Sequence, residues 1–272
     1  MKEQFLTEQE FLKQYNPGDY ERPSVTVDTI LIGVDSNLKS LKVLLIKRKN
    51  HPFMNCWAFP GGFINMKESS YEAAIRELEE ETGLKDIYLE QLYTYSNPNR
   101  DPRMRVIDIA YLALVPVTPV KANDDAAEAA WFDIDFSDNN LILKNNDFDV
   151  TIKYDLKTTS YKHGVISVKG FETPVLCSKD SLAFDHASIL IDTMLRLRNK
   201  VEYTDIAFNL VPKHFTLTDL QHVYELLLGK NLYKKNFRTK VISKVNAIND
   251  TAIPIISIGT KPAQLYEYKE EI

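Results

Sequence analysis

The sequence predicts an α+β protein in two parts, a mixed β-sheet packed with helices followed by a small basic helical domain. Strand-like segments surround one stretch without Gly or Pro, 70–82, and near Tyr203 the pattern changes to short helices. The charge changes as well, because 210–272 hold nine Lys/Arg and six Asp/Glu while the whole chain carries −5. We therefore predict a first domain over 1–203 and a second over 204–272.

Composition narrows the class of protein. A chain of 272 residues with 44% hydrophobic side chains can bury a real core. Cys56 and Cys177 have no metal or redox spacing, which indicates ordinary thiols in a reducing compartment. The N-terminus lacks an apolar stretch of signal-peptide length, and no segment is long enough to span a membrane. We therefore expect a cytoplasmic protein without a membrane partner.

Four strands are predicted around the helical stretch. Apolar residues alternate or run continuously over 24–34 and 41–49, and the polar segment 35–39 between them is a turn. The segments 87–95 and 106–115, which follow the helix, have the same character. Strands on both sides of one helix favour a mixed sheet.

Beyond these strands the pattern is less regular. Short apolar runs with polar turns predict an added β-hairpin region over about 139–177. Residues 181–200 follow helical spacing and are expected to join the two domains. The predicted buried face of this helix comprises Leu182, Ile189, Leu190, Met194 and Leu197. Its opening, 182–186, admits a catalytic interpretation, but a packed helix with a hydrogen-bonded His186 is favoured.

The stretch 70–82 is rich in Ala, Glu and Leu and ends at Gly83, so it is predicted to be helical. Glu80 and Glu81 follow Glu77 by three and four residues, so all three share one face. Like charges at this spacing destabilise a bare helix by roughly a few tenths of a kcal/mol per pair, which indicates a bound cation. Oxygen ligands on a rigid element suit Mg²⁺ or Mn²⁺ rather than zinc.

The rest of this helix supports that interpretation. Arg76 lies four residues before Glu80 and can pair with it. The opposite face, with Ala74, Ile75 and Leu78, is apolar and is expected to pack on the sheet. A solvated acidic face is the usual interpretation of a glutamate run, but it does not explain the two glycines before the helix.

The segment 62–84 resembles the signature of the Nudix hydrolases, a glycine, a glutamate six residues on, and then Arg-Glu-apolar-x-Glu-Glu-x-Gly-apolar. Every position is filled, by Gly62, Glu68, Arg76, Glu77, Leu78, Glu80, Glu81, Gly83 and Leu84. The preceding segment 57–62 also resembles the family. The resemblance implies an α/β/α sandwich with a mixed sheet and a metal-dependent pyrophosphohydrolase of a nucleoside diphosphate derivative.

The resemblance also implies roles for individual residues. They are Gly61, Glu77, Glu80 and Glu81 as ligands of Mg²⁺ or Mn²⁺, Arg76, Glu77 and Glu80 in catalysis, and Gly62, Glu68 and Gly83 as structural residues of the motif. The metals neutralise the diphosphate and lower the pKa of a bound water. A carboxylate takes the proton from that water. The family places this base in the motif or on a later loop, and Glu128 is the loop candidate, with an ordinary surface acid as the alternative.

A second candidate constellation lies in 96–103, between two predicted strands. Pro98 and Pro102 restrict the loop backbone, and Arg100 and Arg103 can present guanidinium forks to diphosphate oxygens. The alternative is a surface turn with an internal Arg–Asp pair. The string Arg-Asp-Pro-Arg resembles a loop of Nudix proteins that act on or sense ADP-ribose, and this favours ADP-ribose as the ligand.

A helix-turn-helix is predicted in the second domain. The predicted elements are helices over 203–210, about 218–228 and about 234–245, and a β-hairpin with strands over 255–258 and 265–268. Thr216 or Thr218 can cap the second helix, and Gly229 ends it. The buried stripe of that helix comprises Leu220, Val223, Tyr224 and Leu227.

The third helix is strongly basic, since 230–244 contain six Lys/Arg and no acid. A helix that enters the major groove of double-stranded DNA has this character. The candidate DNA-binding residues are Lys234, Lys235, Asn236, Arg238 and Lys240. A solvated lysine face is the alternative, and charge alone favours it.

A further resemblance changes that balance. The segments 215–225, 236–238 and 261–266 resemble the winged-helix domain of Nudix-related transcriptional regulators of NAD metabolism. Together with 182–186, this resemblance covers nearly the whole chain. It implies DNA binding, and DNA binding implies a homodimer because paired helix-turn-helix units bind two half-sites.

Two hypotheses follow. The first is a metal-dependent hydrolase that cleaves the pyrophosphate of ADP-ribose or a related nucleotide. The second is a DNA-binding regulator whose Nudix domain senses ADP-ribose. Regulators of this kind often have an eroded Nudix signature, whereas every carboxylate is present here, so the sequence favours the hydrolase.

Overall fold

The computed structural model describes residues 7–120, 126–256 and 261–269. The helices in this part of the chain are α1 (Glu8–Gln14), α2 (Ser70–Thr82), α3 (His186–Lys200), α4 (Leu217–Leu228) and α5 (Lys234–Val241), with 3₁₀ turns at Pro17–Asp19, Ile206–Leu210 and Ile242–Lys244. The strands are β1 (Ser24–Val34), β2 (Leu41–Arg48), β3 (Trp57–Ala58), β4 (Gly61–Phe63), β5 (Glu90–Tyr95), β6 (Val106–Pro116), β7 (Ala126–Phe136), β8 (Asn140–Asn145), β9 (Val150–Asp155), β10 (Thr158–His163), β11 (Ile166–Phe171), β12 (Val175–Leu176), β13 (Phe215–Thr216), β14 (Val245–Ala252) and β15 (Ala263–Tyr268).

A large mixed sheet forms the centre of the first domain. Among the described residues its strands run in the order β12-β9-β8-β7-β2-β1-β6-β5, with β3 beside β2 and β4 beside β1. The long strands β1 and β6 are parallel, and the other pairs are antiparallel. Helix α2 packs on one face through Ala74 and Leu78, and α3 packs on the other through Leu190 and Met194. The predicted α/β/α layers are therefore confirmed.

Helix α2 has the predicted bounds because both ends carry strong local signals. Ser69 and Glu72 form a reciprocal capping box at its start. Gly83 ends it with φ of 73°, in the left-handed region where a side chain is disfavoured, and donates its N–H to Glu79 O. Because both ends of α2 are capped, the start and end of the helix are fixed, and with them the positions of its glutamates.

The segment 139–177 differs from its prediction. Strands β8, β9 and β12 extend the main sheet, and only β10 and β11 form a separate hairpin. The reason is burial: Leu141, Leu143 and Ile152 are fully buried in the main core, so β8 and β9 need the sheet.

The helix predicted from residue 181 begins at His186 instead. Residues before it are held extended, since Trp57 donates its N–H to Ser181 O (3.1 Å) and accepts the Ala183 N–H (2.7 Å). The predicted buried face of the helix is confirmed, because Ile189, Leu190, Met194 and Leu197 are all buried.

The second domain has the architecture of a winged helix. Thr216 caps α4 by accepting the Asp219 N–H at 3.1 Å, and Gly229 ends it with φ of 65°. Helix α5 stops at Val241, and the first strand of the wing is β14, not 255–258. Residues 245–252 form a strand because they pair with β15. Residues 257–260 of the predicted hairpin lie outside the described residues.

The two domains share one hydrophobic core. Leu197 and Val201 at the end of α3 belong to the same buried cluster as Leu220, Val223 and Leu227 of α4. Across the described ranges, no helix is long and apolar enough to cross a membrane.

Candidate functional site

A polar cavity of about 430 Å³ lies where α2, the start of α3 and the loop between β5 and β6 meet the sheet. Residues predicted from the sequence line it, namely Gly61, Gly62, Arg76, Glu77, Glu81, Arg100 and Arg103. Asp28, Arg48, Phe59 and Phe184, for which the sequence predicts no role in a site, also line it. The volume lies within the range of small-molecule sites.

Arg76 organises the acidic face of α2. Its Nε and Nη2 donate to both oxygens of Glu68 (3.0 and 2.7 Å), and its Nη1 donates to Glu77 (2.8 Å) and to Glu80 (3.0 Å). The predicted pairing of Arg76 with Glu80 is therefore confirmed. Hydrogen bonds from Arg76 lower the pKa of Glu68 to about 2. Glu80 is the outermost of the three acids, with 59% of its side chain exposed, and it does not line the cavity.

Glu77 and Glu81 turn towards the cavity and are poorly solvated. Burial raises the pKa of Glu77, even though Arg76 opposes that shift. Burial also raises the pKa of Glu81 to about 8, against the hydrogen bond that its Oε2 accepts from Gly61 N–H at 2.7 Å. Nearby positive charge would favour both ionised forms.

The donor chemistry fits a hard divalent cation only in part. Glu77 and Glu81 offer buried carboxylate oxygens that a cation of the Mg²⁺ type would stabilise, beside the Gly61 backbone. Within the described ranges, however, no group of three His, Cys, Asp or Glu side chains is arranged to hold a metal. Glu80 is paired with Arg76 and largely exposed. Of the predicted metal ligands, Gly61, Glu77 and Glu81 line the cavity and would hold Mg²⁺ there.

The two glycines of the motif make room for this arrangement. A Cβ atom on Gly61 would lie 2.1 Å from Val27 O, and one on Gly62 would lie 2.3 Å from Glu77 Oε1. At Gly61 the obstacle is backbone, so a side chain cannot be accommodated there. At Gly62 the obstacle is the carboxylate of Glu77, so a side chain there would displace Glu77 from its position in the site.

The sequence predicted that Glu128 lies on a loop, and this prediction is wrong. Glu128 lies in β7 opposite Lys47 of β2, and the two side chains form an ion pair at 3.2 Å. It does not line the cavity. Pairing with β2 extends the strand back to Ala126, and the local sequence before Trp131 carries no alternating pattern that would have predicted it. The structure therefore gives no support to Glu128 as the base.

Arg100 is buried at the cavity wall, with only 4% of its side chain exposed. Its Nε and Nη2 grip both oxygens of Asp185 (3.1 and 2.9 Å), and Nη2 lies 3.6 Å from Asp28 and 3.9 Å from Asp108. Burial would lower the pKa of Arg100, but these three carboxylates raise it. The guanidinium of Arg100, which the sequence predicted to bind substrate, is therefore already paired with carboxylates of the protein.

Asp108 is the most buried member of this network. Burial, reinforced by the charge of Asp28, raises its pKa well above the ordinary value, although Arg100 and a hydrogen bond from Thr26 (2.9 Å) oppose the shift. We infer that Asp108 holds a proton while Asp28 is ionised. Parallel pairing of β1 with β6 sets Thr26 opposite Asp108, so the sheet itself brings the two acids together.

His186 lies at the floor of the same cavity. Its Nδ1 accepts the Phe59 N–H at 3.0 Å, so the proton of the neutral imidazole is on Nε2, 3.3 Å from Asp28 Oδ2. The predicted hydrogen-bonded histidine is confirmed, but it lines the site as well. The sequence signal that could have found it is the pair Asp185-His186 directly before a helix.

Two arginines form the rim. Arg103 pairs with Asp101 (2.8 Å), as the alternative of an internal Arg–Asp pair predicts, and its guanidinium lies 5.3 Å above the Phe63 ring. Arg48 lies 4.9 Å above the ring of Phe184. Cations stacked on aromatic rings at a concave opening suit an anionic ligand that also carries a flat group.

The basic helix α5 carries the other predicted residues. Lys234, Lys235, Asn236 and Arg238 are exposed, while Phe237 and Val241 anchor the opposite face. Lys240 differs, because its Nζ donates to the Glu202 carbonyl at 2.7 Å. The exposed face fits a recognition helix that follows a turn of 229–233.

The two domains also match known families. The profile described as NUDIX domain matches residues 24–150, and that described as NrtR DNA-binding winged helix domain matches residues 207–268. The chain is 34% identical over 267 residues to the "ADPR responsive transcriptional repressor NtrR" of Acinetobacter baylyi, covering 97% of this chain and 89% of that protein. This chain belongs to the family of Nudix proteins that carry an NrtR-type winged-helix DNA-binding domain.

Other relatives cover the chain to different extents. An ADP-ribose pyrophosphatase of Methanocaldococcus jannaschii is 44% identical over 142 residues, which are 52% of this chain and 77% of that protein. A MutT/nudix family protein from Enterococcus faecalis has a similar structure, with TM-score 0.77, 34% identity and coverage of 97% and 94%. Shewanella oneidensis NrtR in complex with a 27mer DNA aligns with TM-score 0.61, 28% identity and coverage of 90% and 93%.

Proposed function

We propose that this protein is a DNA-binding transcriptional regulator that responds to ADP-ribose bound in its Nudix domain. The observation that carries the proposal is similarity to a repressor along nearly the whole chain, both domains included. The sequence alone favoured the hydrolase, and this full-length relationship reverses that order. A relative named for ADP-ribose pyrophosphatase activity, which matches about half of this chain, supports the same ligand.

The geometry is consistent with ADP-ribose. The rim cations Arg48 and Arg103 suit the diphosphate, and the aromatic rings beneath them offer flat surfaces for a base. In the second domain, α5 presents Lys235 and Arg238 to solvent on a helix of the right size for a major groove.

The test is DNA binding with and without the nucleotide. A duplex would be selected from a random-sequence library by the ligand-free protein, and its affinity measured by fluorescence anisotropy at fixed salt. We expect ADP-ribose to change the dissociation constant by roughly 5- to 150-fold, the range of common allosteric couplings. AMP at the same concentration is the control. The proposal would be refuted if ADP-ribose binds to the protein but leaves the dissociation constant for DNA unchanged.

Hydrolysis of ADP-ribose is the second candidate function, and the complete Nudix signature favours it. Bound Mg²⁺ would supply charge neutralisation and an activated water. The residues of this chain would hold that ion through Glu77 and Glu81, while Arg76 fixes their positions. In the conformation described, Glu80 is paired with Arg76, so it has to turn inwards to contribute.

Product analysis separates the two candidates. The purified protein would be incubated with ADP-ribose and Mg²⁺ and assayed for AMP, beside Glu80→Gln and Glu90→Gln variants. Release of AMP that depends on Glu80 and not on the remote Glu90 supports a hydrolase. Tight binding without AMP release leaves a sensor, and release in both variants removes Glu80 from the metal site.

A further inference from the structure

The start of α3 is built in an unusual way. Asp185 occupies the N-cap position, where an aspartate normally accepts the N–H of the second or third helical residue. Here its side chain makes no capping hydrogen bond, because both carboxylate oxygens accept from Arg100. Asp185 therefore has two possible partners, the guanidinium of Arg100 and the free N–H groups of α3.

Arg100 in turn belongs to the cavity. It lines the wall on the loop between β5 and β6, close to the rim cation Arg103. Asp185 accepts two charge-assisted hydrogen bonds from the Arg100 fork, and a diphosphate that reaches this wall would compete with Asp185 for those same donors. The next residue of the chain, His186, also lines the cavity.

The other end of α3 touches the winged helix. Leu197 is buried in one cluster with Leu220 and Leu227 of α4. Arg198 packs so tightly against the α4 C-cap that a Cβ atom on Gly229 would lie 2.7 Å from its Nη2. A displacement at the first turn of α3 can therefore be transmitted along this single helix to α4 of the helix-turn-helix.

We propose that Asp185 is a switch residue that pairs with Arg100 when the cavity is empty and caps α3 when an anionic nucleotide takes Arg100, and that α3 transmits this change to the DNA-binding domain. The proposal rests on the proposed function, because it names how that ligand site is coupled to DNA. The two arrangements provide the differential ligand affinity that any such coupling requires.

The experiment uses the full chain with ADP-ribose and the library-selected duplex. Asp185→Asn removes the competitor for Arg100, so ADP-ribose should bind severalfold more tightly while its effect on DNA affinity falls to less than about threefold. A merely structural role for Asp185 would weaken nucleotide binding instead. Glu172→Gln, which breaks the exposed ion pair with Lys157, is the matched control and should keep the parent coupling.

Arg198→Met tests the far end of the same helix independently. It should keep the parent affinity for ADP-ribose and lose the coupling. Hydrogen exchange gives a readout without DNA, since capping by Asp185 in the presence of ADP-ribose should slow exchange of the amides of residues 187 and 188. Parent-like coupling in both variants, or no change in those amides, overturns the switch. A parent protein whose DNA affinity ignores ADP-ribose overturns the proposed function itself.

Discussion

The carboxylate of Glu77 occupies the space in which a side chain on Gly62 would begin: a Cβ atom there would lie 2.3 Å from Oε1 and 2.6 Å from Cδ. The loop and the helix of the Nudix motif therefore interlock, and glycine is required at position 62 by the side chain of Glu77, fifteen residues later, rather than by its own backbone angles. Because Glu77 also bonds Arg76, a displacement at Gly62 would reach the whole acidic set.

Gly62→Ala should impair the site with little loss of folding. The methyl group has to push Glu77 from the cavity, and misplacement of this order costs roughly a hundredfold in activity or a comparable loss of metal-dependent binding. Isothermal titration with ADP-ribose and Mg²⁺ measures it. Gly164→Ala, at a positive φ of 62° in the exposed hairpin turn, is the control for replacing a glycine. Equal affinity in the parent and Gly62→Ala would contradict the interlock.

Arg100→Met should destabilise the first domain strongly. It leaves Asp28, Asp108 and Asp185 without their shared cation, and breaking a buried ion pair from one side typically costs about 3–5 kcal/mol. Urea unfolding would report it. Lys157→Met, which removes an exposed partner of Glu172, should cost less than about 1 kcal/mol. Similar losses of unfolding free energy in the two variants would mean that Arg100 does not stabilise this carboxylate network.

Asp108 should make stability depend on pH. Its pKa is raised in the folded state by burial, so between the ordinary value of 3.8 and the raised value the folded chain holds a proton that the unfolded chain has lost. This contribution is full below the unfolded pKa and is lost as pH rises through the folded pKa. Asp108→Asn imitates the protonated acid and should gain stability over the parent as pH rises from 5 to 8.

Urea unfolding across that pH range measures the gain, which has a limit of about 1.4 kcal/mol per pH unit for one proton. Asp135→Asn, at an exposed position of β7, is the control. A difference between Asp108→Asn and the parent that stays constant with pH would show that Asp108 is ionised in the folded protein.

Arg238→Ala should weaken DNA binding and lower the salt dependence of the affinity by about one unit of slope, because one phosphate-neutralising cation is lost. Lys240→Ala should have a smaller effect, since that amine is already held by the Glu202 carbonyl. Anisotropy titrations over a series of salt concentrations give both slopes. Lys179→Ala, an exposed position of the first domain, is the control for net charge. An unchanged slope in Arg238→Ala would remove this residue from the DNA contacts.

The sequence by itself determined the elements with strong local signals. The bounds of β1 and α2, the buried stripe of α4 and the acidic face around Glu77 follow from periods of 2 and 3.6 residues and from capping residues, which act within a few positions. The Nudix motif is also contiguous, so the pairing of Arg76 with Glu80 could be predicted from their spacing of four residues.

Tertiary structure alone decided how distant residues meet. Asp28, Arg100, Asp108 and His186 are spread over more than half of the chain, and only the parallel pairing of β1 with β6 and the docking of α3 bring them together. Pairing of β2 with β7 placed Glu128 on a strand, and the carboxylates that the fold brings to Arg100 make this residue a buried counter-ion instead of a free fork. Local patterns carry no information on these contacts, because the free energy that selects them comes from burying whole faces of sheet and helix against each other.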